Sequence, residues 1–439
     1  MTPTRIPLTP NQIRGFWAAW GGWVLDGMDS FIYALVLVPA LRDLLPRSGI
    51  AATNANIGYY GGILFALFLV GWGMALLWGP VADRFGRVRT LMLTIICFSV
   101  FTLLSAFATN IWMLAALRLL AGVGIGGEWG IGTALVAESV PEARRVEAGV
   151  IMQTASPLGL ILAGAINYQI AGVWFVDQPQ HAWRYVFLAG LLPVLLAVVL
   201  RLVLRESAPW QHSRAHGAPP TPRELLAPGM RRATLSGFCV AVFAVLTFWG
   251  CSAFFPLLGS SLAQGEASAL GLSATATRTL SAAWQAYAAN AFNLGGLVGA
   301  LAAVPLARLL MRRAMFVTYF LFAAASLLIT FGTPLPPHTR LALLFAVGMG
   351  VYGIFGTLTF YLPELFPARL RATGAGLCYN IGRVFAAAGP FIVGYLAARA
   401  GGSSAAILHM LLWCAAGPLL AALVSYFVVV ETRGRTLPT

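Results

Sequence analysis

The chain is poor in charge: only 10% of its 439 residues are Asp, Glu, Lys or Arg, whereas 59% are hydrophobic. A soluble domain has about 25% charged residues, so these few charges could not cover a water-exposed surface. Lysine is absent, and all 28 basic residues are arginines. The apolar residues form long runs, such as 91–108 and 186–204. Apolar runs of about 18 residues or more predict membrane-spanning helices.

Cysteine and histidine are also scarce, with five of each. The cysteines all fall inside apolar runs without the spacing of metal ligands, and neither a Ser-His pairing nor a His-Glu-x-x-His motif occurs. We therefore expect no metal, no cofactor and no enzymatic activity. No cleavable signal peptide is evident, because the polar N-terminus leads into a full-length apolar run that fits a retained first span.

The apolar runs predict an all-α integral membrane protein with twelve transmembrane helices in two pseudo-symmetric six-helix bundles. We assign 1–14 to an N-terminal tail, 15–204 to the first bundle, 205–231 to a linker, 232–430 to the second bundle and 431–439 to a C-terminal tail. The predicted spans are 15–40, 57–79, 88–108, 111–137, 146–170, 184–204, 232–258, 280–306, 314–333, 339–362, 372–397 and 404–430.

The arginines predict the orientation of these helices. Nineteen fall in the tails and loops on the side of the termini, and six fall in the loops on the opposite side. Cytoplasmic loops carry the excess of basic residues, so we expect a multi-pass protein of the cell (inner) membrane with both termini and the linker cytoplasmic. The same distribution favours the lipid bilayer over nucleic acid as the reason for the net charge of +14.

An internal repeat relates the two halves. ESVPEARRVEAG begins at Glu138, and ELFPARLRATGAG begins at Glu364, 226 residues later. Both segments place a proline three residues after the glutamate and an arginine four residues after that proline, Arg145 and Arg371. Two related bundles that rock around a central site are the design of alternating-access transporters.

Several segments resemble one transporter family. GPVADRFGRVR (79–89) is similar to the signature loop of the major facilitator superfamily, with Val81 and Val88 as mild departures. RLLAGVGIGGEWG (118–130) and VVVETRGRTL (428–437) resemble its fourth and twelfth helices. LDGMDSF and YLPELFPARLRATGAGLCYNIGR resemble its proton-coupled carboxylate symporters, the sialate, lactate-type and aromatic-acid permeases. The resemblance implies a monomer that carries a small organic anion together with protons.

Charged residues at bilayer depth are candidates for proton coupling, because each costs roughly 2.5–3.5 kcal/mol to insert. Asp26 and Asp29 lie three residues apart on one face of span one, with Tyr33 one turn further. Their mutual repulsion in a low dielectric favours a proton on one of them. In the aromatic-acid branch, an Asp-Gly-x-Asp motif that matches residues 26–29 is part of transport. The alternative is a fixed ion pair or cap that stabilises the bundle.

Arg383 lies deep in span eleven, preceded by Tyr379 and Asn380. Since a guanidinium matches a carboxylate, we predict that Arg383 anchors the substrate; the alternative is a structural partner for Asp26, Asp29 or Glu128. Arg118 and Glu128 lie ten residues apart on oblique faces of span four, and both are candidates for proton coupling or for structure. Arg118 matches an arginine linked with proton coupling in the superfamily. Further candidates for substrate binding are Tyr33, Gln153, Trp249 and Tyr352.

Charges in the loops predict a conformational latch that holds one state of the carrier by ion pairs. The alternative is that these charges are solvated and only determine topology. The predicted latch comprises Gly79, Asp83, Arg84, Gly86, Arg87, Glu138, Arg145, Glu364 and Arg371.

Other functions fit the residues less well. A sugar or polyol porter shares the Glu-Thr-x-Gly end but does not require a buried arginine and paired aspartates. A drug-proton antiporter usually carries a Gly-Pro-x-x-Gly-Gly type motif in span five, where this chain has SPLGLILAG. A non-transporting membrane sensor would need a signalling domain that the sequence does not offer. Proton-coupled symport of a carboxylate therefore remains the favoured hypothesis.

Overall fold

The structure is a computed structural model that describes residues 8–175, 178–195, 206–216, 221–252, 254–386 and 404–437. Helices dominate these residues, and none of them forms a β-strand. The first helix begins at a capping box, in which the Thr9 hydroxyl accepts from the Gln12 backbone N–H while the Gln12 side chain accepts from the Thr9 N–H.

The first bundle contains eight named helices. They are α1 (Pro10–Arg47), α2 (Asn54–Met74), α3 (Trp78–Phe85), α4 (Arg87–Ser105), α5 (Ile111–Ser139), α6 (Arg145–Gln153), α7 (Ala155–Asn167) and α8 (Pro179–Leu188). A short helix, α9 (Ala208–His216), follows in the segment predicted as the linker.

The second bundle repeats this plan. Its helices are α10 (Arg231–Ser252), α11 (Phe255–Ala269), α12 (Ala274–Leu309), α13 (Arg312–Gly332), α14 (Pro337–Val351), α15 (Phe355–Glu364), α16 (Arg371–Ala386), α17 (Ser404–Trp413) and α18 (Ala416–Val428). The bundles meet where α16 contacts α2, α3 and α5, and where α6 contacts α12 and α15.

Ten helical segments of the described ranges are long and apolar enough to cross a bilayer. Several are longer than predicted: the first runs over 10–47 instead of 15–40, and the segment predicted as 232–258 continues to Ala269. The predicted spans 184–204 and 372–397 run into residues 196–205 and 387–403, which lie outside the described residues. The chain is therefore a multi-pass membrane protein.

Close packing of α2 on α5 depends on glycine. A Cβ atom on Gly122 would overlap the backbone oxygen of Phe68, and one on Gly71 would overlap that of Leu119. Without side chains at these points the two helix backbones come into direct contact, as they do at small-residue interfaces in membranes. This contact fixes α2 and α5, two of the three helices of the first bundle that contact α16.

Candidate functional site: a central cavity and a latch beside it

A cavity of about 470 Å³ lies between the two bundles. Twelve of the 23 described residues that line it are aromatic, and Asp26 and Arg383 are the two charged residues among these 23. The volume is in the range of small-molecule sites, and such a mostly apolar wall with a few polar groups is typical of them. A ligand in this cavity would contact both bundles at once.

Arg383 projects into the cavity from α16 and is 5% exposed. Its Nη1 donates a hydrogen bond to Asn380 Oδ1 at 3.0 Å. Its guanidinium carbon lies 3.9 Å from the centroid of the Trp72 ring and 4.3 Å from that of Tyr379. No carboxylate of the described residues lies within 4.0 Å of it. A buried cation without an ion-pair partner is unfavourable by itself, and its free donors suit an anionic ligand.

Two carboxyl groups lie near one another beside the cavity. Asp26 lines the cavity, and its charge interacts with those of Arg383 and Glu128. Glu128 is fully buried on α5, and neither of its carboxylate oxygens has a hydrogen-bond partner among the described residues. Gly22, one turn before Asp26, admits this carboxyl group, because a Cβ atom there would overlap Glu128 Oε1. The two acids thus face one another across the contact of α1 with α5.

Asp29 belongs to a different cluster inside the first bundle. Arg118 Nη1 lies 4.0 Å from Asp29 Oδ2, and Arg118 Nη2 donates to Thr102 Oγ1 at 3.0 Å and Ser105 Oγ at 2.8 Å. The Tyr33 ring lies 5.5 Å from the Arg118 guanidinium. Asp26 and Asp29 are three residues apart on α1, and Arg118 and Glu128 are ten residues apart on α5. As a result, Asp26 lies near Glu128, and Asp29 lies near Arg118.

The predicted substrate residues divide into two groups. Gln153, Trp249, Tyr352 and Tyr379 line the cavity with Arg383. Asn380 lies one turn before Arg383 and bonds to it without lining the cavity, and Tyr33 lies in the Arg118 cluster rather than in the cavity wall.

Sequence reasoning missed the aromatic face of α2. Phe65, Phe68 and Trp72 all line the cavity, and Trp72 supports the guanidinium of Arg383. Their spacing of three and then four residues places them on one face of a helix, and this spacing is the signal that could have found them. Ser156 and Asn293 line the cavity as well.

The residues predicted to form a latch lie at the ends of the helices on one side of the protein, which we call the latch side. Arg87 Nη1 lies 2.8 Å from Asp83 Oδ1, and its Nη2 lies 3.0 Å from Glu138 Oε1. Arg371 of the second bundle reaches the same Glu138 oxygen at 3.0 Å. The Thr373 backbone N–H donates to Asp83 Oδ2 at 2.8 Å. Ion pairs and hydrogen bonds thus join α3 and α5 of one bundle to α16 of the other.

The second bundle supplies a matching set. Arg312 Nη2 lies 3.1 Å from Glu364 Oε1, as Arg87 does from Glu138, and Arg145 of the first bundle approaches the same oxygen at 4.0 Å. Arg84 is outside this network: it is exposed, lies over the Phe85 ring and has no carboxylate of the described residues within 4.0 Å. The structure therefore does not bring Arg84 together with the other predicted latch residues.

Two glycines are required at the latch. A Cβ atom on Gly79 would lie 2.6 Å from Thr373 Cα, so only glycine permits α3 to approach α16 this closely. Gly86, between α3 and α4, has φ = 116°, a conformation that side chains rarely allow. This turn directs the first N–H groups of α4 toward Glu206, which accepts from Val88 N at 3.1 Å.

The segment predicted as a simple linker is part of the latch. Ser207 hydrogen-bonds Glu138, and the buried Trp210 donates from Nε1 to the Asp83 carbonyl oxygen at 2.8 Å. Further on, Arg369 Nη2 lies 2.5 Å from Glu224 Oε2, and this bond lowers the pKa of Glu224 to about 2. The linker therefore contacts both bundles on the latch side.

Two helical bundles, a cavity between them and ion pairs that close one side define a membrane transporter rather than an enzyme. Residues 19–390 match the Major Facilitator Superfamily, and the chain belongs to this family. Its all-helical fold is that of the superfamily, as the signature segments of the sequence predicted.

The relatives carry the names of transporters for small metabolites. A probable 4-methylmuconolactone transporter of Cupriavidus pinatubonensis is 30% identical over 397 residues, which cover 90% of this chain and 86% of the relative. The niacin transporter NiaP of Acinetobacter baylyi is 25% identical, with 98% and 97% covered. Among solved structures, the proton:xylose symporter XylE bound to 6-bromo-6-deoxy-D-glucose has a TM-score of 0.72 at 18% identity, with 97% and 98% covered.

Gly22→Ala should displace the Glu128 carboxyl group without unfolding the protein, since the overlapping atom is the end of a flexible side chain. We expect transport to fall by about tenfold, equivalent to about 1.4 kcal/mol, with its pH dependence shifted. Gly15→Ala on the same helix, where a Cβ atom meets nothing within 4 Å, is the control. Equal uptake by both variants at every pH would contradict the assigned proximity of α1 and Glu128.

Gly79→Ala should weaken the closed latch, because the new Cβ atom meets backbone that cannot rotate away. Overpacking of this kind costs about 1–3 kcal/mol. We expect faster amide hydrogen exchange in residues 368–373 of the purified protein, measured by mass spectrometry. Gly62→Ala, which meets nothing within 4 Å, should exchange like the wild type. Unchanged exchange in Gly79→Ala would show that this contact does not hold the latch closed.

Proposed function

We propose that the protein is a proton-coupled symporter that carries a small organic anion, a carboxylate, across the cell (inner) membrane by alternating access. The observation that carries this proposal is Arg383, a buried guanidinium that faces the central cavity with no carboxylate of the described chain within 4.0 Å. In this account the latch side and both termini are cytoplasmic, and the protein acts as a monomer.

The cavity suits a carboxylate with a flat apolar body. The guanidinium offers a planar fork of donors that matches a carboxylate. Around it stand aromatic rings. Besides Asp26 and Arg383, the polar groups of the described lining are three serines, the amides Gln153 and Asn293, two tyrosine hydroxyls and three indole N–H groups. Only Arg383 among them offers a positive charge, which a carboxylate requires and a neutral sugar does not. Niacin, after which one relative is named, is a ring carboxylic acid.

Asp26 and Glu128 are the proposed proton carriers. A buried carboxyl group without a partner is far more stable neutral than ionised, and Glu128 has no partner. Asp26 interacts with both Glu128 and Arg383. When an anion neutralises Arg383, Asp26 loses an attraction that favours its ionised form. Binding of the anion and of the proton therefore favour each other, and this coupling is reciprocal.

The second cluster has a supporting role in this proposal. Asp29 is held at 4.0 Å from Arg118 in the interior of the first bundle, away from the cavity. A proton that enters Asp29 would leave Arg118 without its counter-ion. We propose that this pair responds to protonation and keeps α1 and α5 aligned, rather than contacting the substrate.

Uptake by purified protein in liposomes tests the function. The probes are radiolabelled nicotinate, benzoate, cis,cis-muconate, lactate and xylose, each with and without an inward proton gradient. We expect gradient-stimulated uptake of a carboxylate. Arg383→Ala should raise the KM by about 10- to 100-fold, since hydrogen bonds to charged groups contribute about 1.5–3 kcal/mol. Asp26→Asn should remove the stimulation by the gradient.

Two controls make the result specific. Arg383→Lys keeps the charge and loses the fork, so its KM should lie between those of the wild type and Arg383→Ala. Arg14→Ala removes an exposed arginine and should change nothing. Gradient-independent uptake of xylose, with no uptake of any acid, would overturn the proposal and return both buried charges to a structural role.

A further inference from the structure

The substrate anchor and the latch are on one helix. Arg371 and Thr373, which bond Glu138 and Asp83, lie in the first turn of α16, and Arg383 lies three turns further. At 1.5 Å per residue, Thr373 and Arg383 are about 15 Å apart along the helix axis. A change in the contacts around Arg383 can therefore move the latch through a single rigid element.

Asn380 joins Arg383 to the opposite bundle. Its Oδ1 accepts from Arg383 Nη1 at 3.0 Å, and its Nδ2 donates to the backbone oxygen of Gly126 on α5 at 3.3 Å. The side chain is 2% exposed and does not line the cavity. The Asn380 side chain thus bonds to Arg383 through its oxygen and to α5 of the first bundle through its nitrogen.

An adjacent ring contact strengthens this junction. Tyr379 stacks on Trp129 of α5 with centroids 3.8 Å apart and planes 9° from parallel. Since Tyr379 also lies under the Arg383 guanidinium, two successive residues of α16 each contact both the anchor and α5. The junction lies between the cavity and the latch, where the bundles must separate for the latch side to open.

We propose that Asn380 is a positioning residue that couples anion binding at Arg383 to separation of the bundles on the latch side. A carboxylate that binds the remaining donors of the guanidinium draws Arg383 toward the cavity and weakens its bond to Asn380 Oδ1. The amide, released from Arg383, is then free to rotate and give up its bond to Gly126. Asn380 thus acts through Arg383 and α5 without touching the substrate. This inference rests on the proposed anion transport.

The test separates anion binding, measured by KM, from the conformational change of transport, measured by Vmax and by hydrogen exchange. It uses whichever of nicotinate, benzoate, cis,cis-muconate and lactate shows the highest proton-driven uptake in liposomes. Asn380→Ala should leave the KM within about threefold of the wild type, because the anchor remains, and should lower Vmax by about tenfold, because about 1.4 kcal/mol of coupling is lost. In the wild type, the anion should also speed amide hydrogen exchange of residues 368–373, and in Asn380→Ala this response should disappear.

Two further variants exclude simpler explanations. Cys378→Ala truncates another buried side chain of α16, one that faces the Thr234 carbonyl oxygen inside the second bundle; it should keep both Vmax and the exchange response. Asn380→Asp places a permanent anion beside Arg383 and should raise the KM, because it competes with the substrate.

Each of the following outcomes would overturn the proposed coupling role of Asn380. A raised KM with unchanged Vmax in Asn380→Ala would make Asn380 a direct ligand and overturn the coupling role, while anion transport would stand. An equal loss of Vmax in Cys378→Ala would reduce the effect to general packing and also overturn it. If the wild type carries none of the acids, the proposed function fails and this inference fails with it.

Discussion

The burial of the Arg383 guanidinium between the two bundles is the constraint on which the rest of the site depends. Charge inside a membrane protein is tolerated only where it finds a partner or a cavity. Here the partners are neutral: the Asn380 amide and the faces of Trp72 and Tyr379. These contacts stabilise the cation without neutralising it, so the strongest interaction available to Arg383 is left for a mobile anion. In the proposed mechanism, Asp26 interacts with Arg383 and responds to anion binding there.

The helix that carries Arg383 also bonds the first bundle. The first turn of α16 bonds Asp83 at the end of α3 and Glu138 at the end of α5. The linker adds Ser207 and Trp210 to these contacts. Each contact is individually worth little against the cost of burying its charges. Together they depend on a close approach of α3 to α16 that Gly79 permits.

Much of the fold could be predicted from the sequence. Apolar runs located the helices, since a bilayer requires long apolar segments with internal backbone hydrogen bonds. The repeated Glu-x-x-Pro segments predicted two related halves, and Glu138 and Glu364 indeed occupy matching places beside Arg87 and Arg312. Helix ends were less predictable, because spans such as 10–47 continue beyond the apolar core as polar helix.

The site was predictable only in part. Buried charge identified Asp26 and Arg383, because ionisable residues are rare at bilayer depth. It could not show that Asp29 and Tyr33 face the interior of the first bundle, since residues three or four apart on a helix share only a broad face. Trp72 and Trp210 were missed for another reason. The local spacing on α2 could have placed Trp72 on one helix face with Phe65 and Phe68. Its contact with Arg383, like that of Trp210 with Asp83, joins residues more than a hundred positions apart, and no local pattern records such contacts.

We propose that an anion and a proton cross the membrane together. The most direct measurement is the external pH of a weakly buffered suspension of proteoliposomes when nicotinate, benzoate, cis,cis-muconate or lactate is added, with the membrane potential clamped. The account predicts that the transported acid makes the medium more alkaline at a rate proportional to its uptake, and that Asp26→Asn abolishes this change. Uptake of the acid with no change in external pH would contradict it.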